Sequence, residues 1–151
     1  MPRQPLSLKG RALSALARRE HSRVELRRKL APHAESPEDV DRVLDDLASL
    51  DLLSEERFAE SLVGRRAQRF GMQRIRQELG QHRLPSETLA PLLDDLKRTE
   101  RDRAREVWSR KFGTLPADAA ERGRQHRFLA QRGFSSDAIG WVLKGAPGED
   151  D

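Results

Sequence analysis

The sequence predicts an all-α fold of three tandem three-helix repeats forming an elongated, curved modular body. Three observations predict it. Apolar residues recur at i, i+3, i+4 and i+7 between helix-capping signals, and no alternating strand pattern competes with them. The pattern repeats: a shift of 49 residues lays Leu13 on Leu62, Leu26 on Ile75, Leu30 on Leu79, His33 on His82 and Leu44-Asp-Asp-Leu47 on Leu93-Asp-Asp-Leu96 with no gap. Finally, charged and hydrophobic residues each make up 36% of the chain, which suits several small cores better than one thick one.

The elements follow in order. A first helix is expected from Ser7 to Arg19, with Leu13, Leu16 and Ala17 as its inner stripe. Ser22 and Glu25 have capping-box spacing and open a second helix that turns Leu26 and Leu30 inward. Ser36-Pro37 starts the third, an N-cap followed by proline at N1, with Val40, Val43, Leu44, Leu47 and Leu50 on one face. Its outer face is acidic: Asp39, Asp41, Asp45 and Asp46.

Ser54 caps the next helix, whose first turn holds Glu55 and Glu56 and whose face is Phe58, Ala59, Leu62 and Val63. Gly71, a residue that reaches positive φ at little cost, breaks it. Met72, Ile75 and Leu79 carry the following helix inward. A further shift of 50 takes Leu89 to Ile139, Leu92 to Val142 and Leu93 to Leu143, which sets out a third copy. Its helices are expected near Thr99–Phe112, then up to about Gln131, then from Ser135 or Ser136, with Gly133 as a cap. The expected units are 6–53, 54–97 and 98–145, followed by a disordered acidic tail at 146–151.

Charge follows this architecture. Met1–His33 holds nine basic and two acidic residues, Glu35–Glu56 nine acidic and one basic, and Arg57–Arg83 seven basic and two acidic. Basic first and second helices either line one face or pair with acidic third helices of adjacent units. Arginine far outnumbers lysine, which suits bidentate contact with carboxylate or phosphate and equally reflects genomic base composition. The chain has no cysteine, so disulfides and thiolate chemistry are excluded. No apolar run approaches the roughly 20 residues of a membrane span, and the start lacks the apolar stretch of a signal peptide. A soluble, cytoplasmic monomer without membrane contact is expected.

No catalytic, cofactor-binding or metal-ligating constellation emerges. Asp45-Asp46 and Asp94-Asp95 are adjacent on helices and point about 100° apart, so the members of each pair do not converge. His21, His33, His82 and His126 match no metal-ligand spacing, and His33 and His82 read as equivalent helix-end residues. There is no P-loop, GxGxxG or GxSxG. Nucleic-acid contact is the more serious reading, through arginine on phosphate. The scarcity of aromatics, at 5% with no tyrosine, counts against single-strand stacking, and Phe58, Phe128, Phe134 and Trp108 fit core packing.

Three stretches together resemble the RecX family of bacterial regulators of the RecA recombinase. They are Leu16–Leu30 (LARREHSRVELRRKL); Arg57-Phe58-Ala59-Glu60-Ser61 with Arg69-Phe70-Gly71 and Arg74-Ile75-Arg76-Gln77-Glu78-Leu79; and Phe128-Leu129-Ala130-Gln131-Arg132-Gly133-Phe134. The resemblance spans Leu6 to Lys144. The chain departs from the family pattern at Glu56, where Asn or Asp is common, and at Gln131, where a basic residue is common. The resemblance implies a non-enzymatic, modular helical regulator. Such a protein binds in the groove of the RecA–DNA filament, reaches single-stranded DNA through that filament, and modulates, mainly inhibits, ATPase, strand exchange and SOS coprotease activity. The residues this chain offers for that contact are Arg57, Arg65, Arg66, Arg69, Arg74, Arg76, Arg101, Arg105 and Arg132. The competing readings are a free-standing DNA-binding protein of helix-turn-helix-like units, and a helical scaffold for another acidic protein.

Overall fold

The computed structural model describes residues 5–145, so residues 1–4 and the tail expected at 146–151 lie outside the described part. Among the described residues there are eight α-helices, one 3-10 turn and no strand. In order they are α1 (Leu8–Arg18), α2 (Arg23–Leu30), the turn Ala31–His33, α3 (Pro37–Ser49), α4 (Glu55–Arg66), α5 (Met72–Gly80), α6 (Ser86–Lys111), α7 (Ala119–Gln131) and α8 (Ser136–Leu143).

Capping side chains set most of the starts. Ser7, Ser22, Ser36, Ser54, Asp118 and Ser135 each accept a backbone N–H of the first turn, a contact worth about 1 kcal/mol. Ser22 and Glu25 close the full capping box.

Three separate cores hold the chain. The first gathers Leu26, Leu30, Val40, Leu44 and Leu47. The second is built on Phe58, Leu62, Ile75, Leu79 and Leu96. The third is built on Val107, Leu129, Phe134, Ile139 and Val142. The accessible surface is 10121 Å², against about 7,800 Å² for a compact monomer of this mass.

The structure corrects several sequence expectations. The inner stripe of α1 is Leu8, Ala12, Ala15 and Leu16, while Leu13 is 38% exposed and Ala17 is exposed. Both stripes have helical spacing and differ by one position, so only the partner helices distinguish them. Matching Leu8 and Ala12 to Phe58 and Leu62 needs a shift of 50, whereas α2 matches α5 at 49. The repeat therefore carries one gap, in the loop before the second helix. Leu50 also turns outward, because α3 stops at Ser49 and Asp51 adopts a left-handed φ of 59°. Leu53 enters the core in its place.

The expected separate helix near Thr99–Phe112 does not exist: α6 runs without a break from Ser86 to Lys111. Nothing at Lys97-Arg98-Thr99 stops a helix. Leu96 thus sits in the second core and Ala104 in the third on one helix, about 12 Å apart along its axis.

The first unit meets the second through polar groups. The Arg57 guanidinium pairs with Glu20 at 2.9 Å and Asp51 at 3.1 Å. Ser22 Oγ lies 2.7 Å from His82 Nδ1, and the His82 ring packs on Phe58 with centroids 4.6 Å apart. His33 does not share this role: it lies exposed in the 3-10 turn, so the two histidines are not equivalent.

Two outcomes follow. Phe58 is 1% exposed, so Phe58→Ala costs about 3–5 kcal/mol in urea denaturation. Stability also falls on acidification. Burial pushes His21 and His82 below the ordinary value of 6.5. The neutral rings favour the fold, and their contribution is lost as pH drops below 6.5. Burial pushes Glu25 up, but the Arg19 guanidinium and the Ser22 N–H more than offset it and hold the group at about 2. Its contribution is present above 4.5 and fades toward 2. Glu55, raised by burial, works the other way. In urea melts between pH 8 and pH 3, His82→Gln reduces the loss that begins near 6.5 to the share of His21 and leaves the loss below 4.5 in place.

Candidate partner-binding groove

Many arginines already pair with carboxylates. Arg23 and Arg27 of α2 pair with Asp45 and Asp41 of α3, and Lys9 of α1 pairs with Asp46. The acidic α3 face therefore balances its own unit and not a neighbouring one. Arg66 pairs with Glu78 at 3.1 Å and Arg101 with Asp137 at 3.0 Å.

Arg69, Arg74, Arg110, Lys111 and Arg132 are different: no carboxylate pairs with them among the described residues. Four of them converge. Arg69, Arg110, Lys111 and Arg132, with Gln68, Val107 and Phe128, line a groove of about 540 Å³ between the end of α4 and the α6–α7 side of the third unit. The rings are laid between cations. The Arg74 guanidinium lies 4.0 Å from the Phe70 centroid, and Arg132 lies 5.6 Å from Phe70 and 4.9 Å from Phe128. Lys111 lies 5.4 Å from Phe128. Such contacts hold long cationic side chains in place.

The backbone under this groove is tightly fixed. After α4 the chain would leave carbonyls unsatisfied. Arg103 donates to Ala67 O at 3.2 Å and Phe70 O at 2.8 Å, and Arg110 donates to Gln68 O at 2.6 Å. Burial lowers the Arg103 pKa from its ordinary value. Gly71 N–H donates to Arg132 O at 2.8 Å and Gln73 N–H to Gly133 O at 3.3 Å.

Gly71 is needed here for a reason other than the expected one. Its φ is −79°, open to any residue, but a Cβ would run into the Gly133 carbonyl. Gly133 is the residue in left-handed conformation, at φ 91°, and a Cβ there would strike Arg74. Beneath the contact Glu100, 8% exposed, accepts Met72 N–H at 3.3 Å and Ser135 N–H at 3.2 Å with one oxygen. One carboxylate of α6 thus caps the start of α5 and anchors the start of α8.

The sequence-derived set divides accordingly. Arg69 and Arg132 come together at the groove, and Arg74 shares the Phe70 ring with Arg132 but lines a separate cleft with Arg66 and Glu78. Arg57 holds the joint between the first two units, and Arg66 and Arg101 are tied to carboxylates. Arg65 is exposed on α4, donating to Ser61 O. Arg76 faces a separate cleft beside α6, and Arg105 is half-buried on α6. Sequence reasoning missed Arg103, Arg110, Lys111, Phe70 and Phe128 as parts of the site, and Glu100 as its support. The Arg110-Lys111 pair at a helix end was the available signal.

The fold and this groove define a modular helical protein whose chemistry is that of an anionic-partner surface. Comparison with known proteins specifies it further. Models of the first, second and third three-helix domains of RecX match residues 9–47, 54–90 and 99–143. The regulatory protein RecX of Leptothrix cholodnii is 56% identical, over 99% of this chain and 95% of its own. That of Ralstonia pickettii is 55% identical, over 97% of this chain and 92% of its own. The crystal structure of RecX from Lactobacillus salivarius shares the fold at a TM-score of 0.71 and 19% identity, covering 91% of this chain and 92% of that one. The chain belongs to the RecX family, a family of regulatory proteins and not of enzymes.

The junction is open to test. Gly71→Ala costs about 1–3 kcal/mol by overpacking against backbone. Glu100→Ala leaves two N–H groups without their acceptor and costs about 1–3 kcal/mol for each, whereas Glu100→Gln keeps an acceptor oxygen and loses less. Thermal melts of the three variants check the order.

Proposed function

We propose that the protein binds the filament that RecA forms on DNA and modulates it, mainly by inhibiting its ATPase, strand-exchange and SOS coprotease activities. It acts as a cytoplasmic monomer and meets single-stranded DNA through the filament. Membership of a regulatory family supports the non-catalytic role. The observation that carries the reading is the groove of four cations, three of them held by a hydrogen bond or an aromatic face, and balanced by no carboxylate among the described residues. Arg69, Arg74 and Arg132, joined by Arg110 and Lys111, hold the anionic wall of the filament, with Arg65 and Arg76 exposed to either side. Arg57, Arg66, Arg101 and Arg105 belong to the contact only after their internal interactions are exchanged. Occupying the filament groove obstructs strand exchange or subunit turnover.

The test is DNA-dependent ATP hydrolysis by the cognate RecA on single-stranded DNA, with this protein titrated in and binding to bare DNA measured alongside. Suppression is expected well below one protein per recombinase, with weak bare-DNA binding. The double variant Arg69→Glu, Lys111→Glu weakens suppression by at least about tenfold, about 1.4 kcal/mol, while its helicity is unchanged. Arg101→Gln has little effect, since Asp137 already balances that charge. No effect on hydrolysis, or an effect only when bare DNA becomes coated, replaces the reading with free-standing nucleic-acid binding.

A further inference from the structure

A second groove lies in the first unit. It has a volume of about 250 Å³ and is lined by α1, α2 and their flanking residues, with no residue of α3. Its charge has one sign: Arg11 and Arg18 come from α1 and Lys29 from α2, beside the His33 imidazole, and no carboxylate lines it. The spacing is regular. Arg11, Ala15 and Arg18 stand at i, i+4 and i+7 on α1, and Leu26, Lys29 and Leu30 at i, i+3 and i+4 on α2. Leu26 and Leu30 close the floor, and Leu6, 58% exposed, stands at the rim.

No carboxylate of the unit lines this groove, although Glu35 and Glu38 stand exposed nearby in the chain. The four aspartates of α3 are taken by Lys9, Arg23, Arg27 and Arg42. Arg11 and Arg18 form no ion pair among the described residues, and Lys29 Nζ meets only the uncharged His21 Nε2, at 3.4 Å. Cations above an apolar floor are complementary to one kind of surface: carboxylates flanking apolar side chains.

We propose that the α1–α2 groove docks an acidic amphipathic helix of a protein partner. Its carboxylates accept bidentate hydrogen bonds from the Arg11 and Arg18 guanidiniums and meet the Lys29 ammonium. Its apolar side chains lie against Leu6 and Ala15, the helix-in-groove mode of recognition. A nucleic-acid strand fits less well. No Phe, Tyr or Trp lines the groove to stack a base, and phosphates gain nothing from an apolar floor. The site is separate from the groove of the second and third units and does not depend on its assignment.

The experiment uses the full chain and a synthetic 15-residue helical peptide with Glu at i and i+4 and Leu at i+3 and i+7. Binding is followed by fluorescence anisotropy and by amide shifts in NMR. The expected shifts fall on Arg11, Ala15, Arg18 and Lys29 and spare residues 67–71 and 128–133. A peptide with Gln in place of Glu binds at least tenfold more weakly. The Arg11→Glu, Arg18→Glu variant loses at least tenfold, and the Arg69→Glu, Lys111→Glu variant loses nothing. Shifts confined to the other groove, no binding, or equal binding by the Gln peptide overturns the proposal. So does a single-stranded oligonucleotide that displaces the peptide from α1 and α2. The mapping and the Gln comparison use the unaltered chain, so they decide even if the double variant fails to fold. No recombinase enters the assay, so its outcome is independent of the filament reading.

Discussion

The close approach of Gly71 to Gly133 governs the arrangement of the second and third units. Two backbones touch where neither can carry a side chain, and two hydrogen bonds cross the contact. Glu100 locks it from below by accepting an N–H from each partner segment. A buried carboxylate is costly unless its oxygens are satisfied. Here the groups it satisfies are helix-start amides that would otherwise be orphaned. The groove walls inherit their spacing from this junction: Arg69 stands two residues before Gly71, and Arg132 one residue before Gly133.

Arginine serves two purposes in this chain, and pairing tells them apart. Arg57, Arg66 and Arg101 are bound to carboxylates and fix joints between elements. Arg103 donates to the Thr99 hydroxyl and otherwise to backbone, closing the open carbonyls after α4. Arg74 and Arg132 are held by aromatic faces, and with Arg69 they meet no carboxylate among the described residues. A cation fixed beforehand loses less conformational freedom on meeting an anion, so more of the electrostatic gain survives as affinity.

Helix starts and core positions were largely legible because their causes are local. Ser22, Ser36 and Ser54 cap as their spacing indicates, and Phe58, Ile75 and Leu79 fall inward as their period indicates. The choice between Ala12 and Leu13 was not legible, since one-position rotations of a stripe look alike until the packing partners are known. The continuity of α6 was hidden by the repeat itself, which suggests three equal units when two of them share a helix. At the groove, arginine abundance marked the right region. Yet pairing with a carboxylate 12 or 36 residues away, as for Arg66 and Arg101, leaves no trace in local sequence. Gly71 was noticed as a helix breaker, while its actual constraint comes from a residue in another unit.

The two joints in the chain differ in kind. Between the second and third units, α6 runs unbroken through both cores, and bending there would break helical hydrogen bonds as well as the glycine contact. Between the first and second, ion pairs of Arg57 and the Ser22–His82 contact take the place of a shared helix. Exposed ion pairs contribute little and weaken with salt. The basic groove therefore sits on the stiff joint, where its geometry is set before any partner arrives. The α1–α2 groove sits wholly within the first unit, so its shape depends on a single core and not on either joint.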